Sequence, residues 1–395
     1  MKSKNLNKVI INKNYTLQFL PESLTKVSNL LDIDYKGKKL KTSYLVDIIH
    51  NLLLKYYFKK ENIFNLSSII LREKYGEKYN YYISFLRENG YIKLIMDYKK
   101  GKNARVYKLN DDIISGKILR YRNSDKILIK KYRNLVSQID YSDIVRNQIR
   151  QDVKQKLIYD LFSTQIDFER SIFYLDSTMQ DIDVYNRNKY SVECINDKHI
   201  FYHFDPYGRM HTNFTILKSF IRKNCLLIDG EPTSETDIPN SQPLFLCKLI
   251  QGTNAKIDKN EFKLFKYLTI NGLFYQYFMN NSNIDDKKKV KELVYKVFFG
   301  KNLSCKSDSI FKEIFPSVYN FIKFYKNETG DYKILSHDLQ KAESDLIFNK
   351  IVYEIMRDYP DIKILTVHDS IICQHKYKNV VRSIFDRNLE MEFNF

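Results

Sequence analysis

The sequence predicts an α+β fold of mixed organisation. Two kinds of pattern lead there. Side chains recur at helical spacing, apolar ones over 45–56 and the stripe Lys287, Lys291, Tyr295 and Phe299 within 285–301, whereas β-rich runs broken by turns, at 91–109 and 362–373, read as hairpins. The 395 residues leave room for two or three domains, and an apolar content of 44% is enough to build their cores.

In chain order, residues 1–40 alternate weakly, at Lys8–Asn12 and Tyr15–Phe19, and suit a short sheet or arm. Thr42 or Ser43 can cap a helix whose apolar face is Leu45, Ile48, Ile49, Leu52, Leu53 and Tyr56. Leu66 to Lys74 reads as a short helix broken by Gly76, and Glu77 to Glu88 as a second, stopped by Asn89-Gly90. Two strands, Tyr91–Tyr98 and Ala104–Leu109, then flank a basic tip carrying Lys99, Lys100 and Lys102. Helix, turn, helix and hairpin in this order resemble a winged helix, whose basic tip suits a nucleic-acid backbone. A small cap that touches no nucleic acid has the same pattern. From Ser142 to Asp181 the pattern is helical, and from Asp181 to His203 it alternates more like strands.

Lys and Arg number 65 against 47 Asp and Glu, a net charge of +18. Such a surplus favours a polyanionic partner, nucleic acid first, although a generally basic surface has the same composition. The five cysteines are far apart and form no Cys-x-x-Cys pair, so they read as reduced core residues rather than zinc ligands. No uncharged run is long enough to span a bilayer, and the N-terminus has no apolar signal core. A cytoplasmic protein without a membrane partner is expected.

Three segments carry chemistry. Asp237 falls at the end of an extended run, with Asn240 or Ser241 placed to cap the helix after it and Pro243 in that helix's first turn. A carboxylate there can hold Mg²⁺, and the Ile238 carbonyl can add a ligand; an aspartate in this position is also an ordinary cap. Residues 285–301 read as one helix on which Lys287, Lys291, Tyr295 and Phe299 recur every four positions before Gly300. Its cations suit a triphosphate and its aromatics a base or sugar, and a solvated lysine face beside core aromatics fits equally. His368-Asp369-Ser370 interrupts a hairpin of apolar strands, as a site or as a polar turn.

The order and spacing of the three resemble the family A DNA polymerases and the related single-subunit, phage-type RNA polymerases. Tyr207-Gly208-Arg209, before the first segment, and Leu339-Gln340, between the second and third, match further family segments, so the resemblance covers about 200–385. It implies a right-hand palm and fingers over 201–395 and a reduced thumb over 111–200, preceded by the winged-helix-like nucleic-acid-binding domain read above over 1–110. It implies two Mg²⁺ ions bridging Asp237 and Asp369, with the Ile238 carbonyl assisting. Lys291, helped by Lys287, would bind the triphosphate and protonate the pyrophosphate. Tyr295 and Phe299 would pack against the incoming nucleotide, and Gln242 would screen its sugar. Arg209, Gln340 and His368 would hold the primer–template.

The sequence departs from the family at four places. Lys287 replaces an arginine and loses its fork. Phe299 replaces a tyrosine, Ser370 is the residue of the RNA branch, and Gln242 is bulkier than that branch's residue. Steric exclusion by Gln242 favours deoxynucleotides. The expected activity is a compact DNA polymerase without proofreading. An RNA polymerase or primase, and a replication initiator with an inactive core, are the alternatives.

Overall fold

In a computed structural model, described for residues 14–24, 32–99, 104–132, 148–253, 255–302, 306–328 and 330–393, helices are interspersed with antiparallel strand pairs, an α+β arrangement. Lys100, Lys102, the Lys8–Asn12 run and Cys305 lie outside the described residues. The chain divides into two units that cut across the segments 1–110, 111–200 and 201–395. One holds Met1–Ser142, Phe162–Phe201 and Thr212–Pro232; the other holds Asp143–Leu161, Tyr202–His211 and Thr233–Phe395.

In the first unit, β1 (Thr16–Pro21) pairs with β7 (Ile118–Asn123). A hairpin of β2 (Asp32–Tyr35) and β3 (Lys38–Lys41) turns through Lys36-Gly37, both at positive φ. It leads into α1 (Thr42–Lys59), where Leu45, Ile48, Ile49, Leu52 and Leu53 are all buried, as the helical spacing requires. Neither expected cap forms. The cap position is Lys41, and the Ser43 hydroxyl lies 3.4 Å from Asp125 instead. Next come β4 (Ile63–Asn65), α2 (Ser68–Tyr75), α3 (Tyr79–Glu88), β5 (Ile92–Met96) and β6 (Val106–Leu109). Gly76, at φ 79°, makes the break between α2 and α3. The last of these strands along the chain lies in the middle of the sheet, in the order β4-β6-β5.

Further along, α4 (Gln151–Leu161) belongs to the second unit, and β8 (Thr164–Ile166), α5 (Phe168–Thr178) and α6 (Ile182–Asn196) belong to the first. The last of these corrects the strand-like reading of 181–203. Asp181 caps α6 by accepting from the amides of Asp183 and Val184. Tyr185, Asn188, Val192 and Ile195 then fall on one buried face at spacings of three and four. The alternation seen in the sequence came from polar residues, Asn186, Asn188 and Ser191, that are themselves buried.

β9 (Tyr202–Phe204) pairs with β10 (Met210–Thr212). After α7 (Ser219–Cys225) and β11 (Leu226–Ile228), β12 (Glu231–Asp237) carries the chain into the second unit. There a run of helices follows: α8 (Ser241–Gln251), α9 (Lys259–Ile270), α10 (Phe274–Ser282), α11 (Lys287–Phe299), α12 (Lys306–Ile314), α13 (Pro316–Glu328) and α14 (Ile334–Ser344). α14 continues through a π-wound stretch, Asp345–Val352, to Asp358. β13 (Ile364–Val367) and β14 (Ser370–Gln374) form the final hairpin, and α15 (Lys378–Phe393) ends the unit.

Two features of this unit set the site. β14 lies between β13 and β12, with Asp237 opposite Ser370. Its neighbours Leu365, Ile371, Ile372 and Cys373 are at most 1% exposed, so the hairpin that carries His368 and Asp369 is anchored in core. Separately, Phe265, Phe274, Phe278, Phe311 and Phe315 pack ring against ring, with centroids 5.1 to 6.4 Å apart, and hold α9, α10 and α12 together.

Candidate active site

Asp237 and Asp369 are brought together by strand pairing. Asp237 is the last residue of β12, and Asp369 sits in the two-residue bend between β13 and β14. The Ile238 amide donates to the Asp369 carbonyl at 3.2 Å, which ties the two turns directly. Ser370 reaches Glu235 at 2.8 Å and the Val367 carbonyl at 3.0 Å, closing the bend from below. His368 and Asn240 both adopt left-handed backbone, with φ of 53° and 52°. Such a conformation costs a side-chain-bearing residue roughly 1 kcal/mol and is held by the pairing around it.

Asn240 stands at the start of α8 without capping it. Its amide donates to the Thr269 carbonyl at 3.2 Å, and Ser241 also turns elsewhere, so neither supplies the expected cap. Ser241 goes to Glu343, a residue of α14 that is 1% exposed. Both Glu343 oxygens are occupied. Oε1 accepts from Arg209 Nε at 3.1 Å and Nη2 at 2.7 Å. Oε2 accepts from Ser241 at 2.9 Å and Gln242 Nε2 at 2.5 Å. Breaking a buried pair of this kind by removing one partner costs about 3–5 kcal/mol.

The three carboxylates shape the electrostatics. Burial, then the negative charges of Glu343 and Asp237, push the Asp369 carboxyl from its ordinary 3.8 up to about 7, against the opposing pull of Arg209. A site that resists holding its own negative charge is one that a cation relieves. Asp237, Asp369 and the Ile238 carbonyl are therefore a fitting donor set for Mg²⁺, all oxygen and all on two tied turns. Glu343 is not part of it, its oxygens being filled by nitrogen and hydroxyl donors. Among the described residues no group of three or more His, Cys, Asp or Glu side chains is placed to hold a metal ion.

α11 presents its expected stripe outward. Asp286 caps it through the Lys288 amide at 2.8 Å. Val290, Leu293, Val294, Val297 and Phe298 are buried, which leaves Lys287, Lys291 and Tyr295 exposed and Phe299 half-buried. Lys291 Nζ lies 5.3 Å from the centre of the Tyr275 ring, and the rings of Tyr295 and Phe299 are 5.4 Å apart. Tyr275, buried on α10, hydrogen-bonds Tyr295; burial pushes both hydroxyls up, and the charge of Asp369 adds to the effect. At Gly300 the backbone leaves the helix in an extended conformation, and a Cβ there would run into the Lys296 carbonyl. The buried Lys326 ammonium closes the same end, donating to the carbonyls of Val297 at 2.5 Å and Gly300 at 3.0 Å. Burial holds it down at about 8.

Asp237, Asp369, Arg209, Gln242 and Tyr295 thus gather around one another in the second unit. Gln340 sits one turn before Glu343 and donates to Ser336 at 2.9 Å. His368 lies edge-on to His211, with ring centroids 6.1 Å apart. Lys99 belongs to the first unit, just after β5.

Sequence reasoning missed Glu343 and Tyr275. Glu343 had a signal: it falls on the buried stripe of Leu339, Leu346 and Ile347, where a lone acid calls for partners. Tyr275 had none, being one aromatic among several.

Compared with protein-family models, the chain matches none, and comparison with curated proteins finds no match. Among the described residues no helix is long and apolar enough to cross a membrane.

Proposed function

We propose that the chain is a template-directed nucleotidyl transferase that extends a 3′-hydroxyl, a compact DNA polymerase of the family A kind. The observation that carries this reading is the tied pair of turns that sets Asp237 beside Asp369, with Arg209 close by and the cationic stripe of α11 in the same unit. The order of the sequence motifs supports it independently.

Asp237, Asp369 and the Ile238 carbonyl hold Mg²⁺ in this reading, and the bound ions supply an activated 3′-hydroxyl and neutralised phosphate charge. The chain's own residues do the rest. Lys291 and Lys287, on the exposed face of α11, bind the triphosphate, and Lys291 gives a proton to the departing pyrophosphate. Tyr295 and Phe299 form an aromatic ledge for the incoming nucleotide. Gln242 meets the sugar. Arg209, His368 and Gln340 hold the primer–template. The winged arrangement of α1 to α3 with β4 to β6, whose hairpin carries Lys99, delivers the enzyme to nucleic acid.

A labelled primer–template offered deoxynucleotides and ribonucleotides separately, with Mg²⁺ or with chelator, tests this. Extension dependent on template and on Mg²⁺, with deoxynucleotides preferred, is expected. Extension by ribonucleotides alone would make it an RNA polymerase, and no extension with either sugar would remove the reading.

A further inference from the structure

We infer that Glu343 is a positioning residue that sets the sugar preference of the site, by fixing the Gln242 amide and the Arg209 guanidinium in one arrangement. The inference rests on the nucleotidyl-transfer reading above. None of the sequence motifs includes Glu343, yet it takes four donor contacts, from Arg209, Ser241 and Gln242.

Hydrogen-bond direction fixes which end of the Gln242 amide is committed. A carboxylate only accepts, so the Gln242 amide must present its nitrogen to Glu343. Its carbonyl oxygen is therefore committed to another direction, and that oxygen is buried without a hydrogen-bond partner on a side chain only 7% exposed. An orphan acceptor of this kind is satisfied by a donor that the chain itself does not supply. On a deoxynucleotide the 3′-hydroxyl is the sugar donor that fits, whereas an added 2′-hydroxyl crowds the same side chain. The choice between acceptor and donor at Gln242 is made by Glu343, because in Glu343→Gln the facing group gains an amide that can donate. The Gln242 amide is then free to turn over and offer nitrogen where it offered oxygen. Arg209 loses its charge partner in the same variant, which couples primer-side and sugar-side positioning through one carboxylate.

The test measures kcat and KM for deoxynucleotide and ribonucleotide incorporation by the parent, Glu343→Gln, Gln242→Ala and the double variant, with a thermal melt of each. Glu343→Gln should raise KM for the preferred nucleotide and lower the sugar preference by about tenfold, the scale of one hydrogen bond. On the Gln242→Ala background it should change that preference no further, since the two residues act as one. A folded Glu343→Gln with the parent's preference overturns the inference, as does full additivity with Gln242→Ala. Should Glu343→Gln not fold, Gln242→Met keeps the side chain's length and removes the oriented amide. It must show the same loss, and an unchanged preference there overturns the inference equally. If the parent extends nothing, the nucleotidyl-transfer reading falls and this inference with it. If the parent extends and the variants keep its preference, Glu343 alone is misassigned.

Discussion

Asp369 shows most directly how single residues are tuned here. Its carboxyl is pushed up to about 7 by burial and by Glu343 and Asp237, from an ordinary value of 3.8. Between those two values the folded chain keeps a proton that the unfolded chain has lost. Stability contributed by this group is therefore present below about pH 4 and is lost as pH rises through 7. Chemical denaturation of the metal-free protein should show the fall between about pH 4 and about 7, and Asp369→Asn should flatten it. A parent profile identical to that of Asp369→Asn would contradict the assigned environment. The residue scale also holds most of what the sequence concealed. Asp237 and Asp369 were visible in their motifs, whereas the link from Gln242 to Glu343 joins positions 101 residues apart and has no local signature.

Elements were more legible than partners. The helices 42–59, 68–75, 79–88 and 287–299 and the strands around 92–109 and 364–374 follow from periodicity and turn residues that lie within the elements themselves. Their caps did not follow, because Ser43, Asn240 and Ser241 found distant partners. α6 was misread because its buried face carries asparagines and a serine, which no hydrophobic pattern registers. Its cap is the element's clearest local determinant. Asp181→Ala removes the oxygen that accepts from two backbone amides and should cost about 1 kcal/mol, seen as a lower urea midpoint at unchanged slope. A midpoint equal to the parent's would show that packing alone sets where the helix begins.

For the whole molecule, the account assigns separate work to two units. The first carries three helices, α1 to α3, and a three-stranded sheet of β4 to β6, and the second carries every described motif residue except Lys99. A net charge of +18 over the whole chain favours a polyanionic partner. The division into units was not legible in the sequence, because each is assembled from separated stretches, with 143–161 and 202–211 contributed to the second from within the first. What was legible is the succession of motifs, and the central claim is that this succession builds one nucleotidyl-transfer site. Primer extension by Asp237→Asn and Asp369→Asn, each folded by its melt and compared with the parent in Mg²⁺, measures that claim directly. The account predicts template-dependent extension by the parent and a loss of at least about a thousandfold in each variant, since each loses charged ligation of the ions. Extension by both variants at the parent's rate would contradict it.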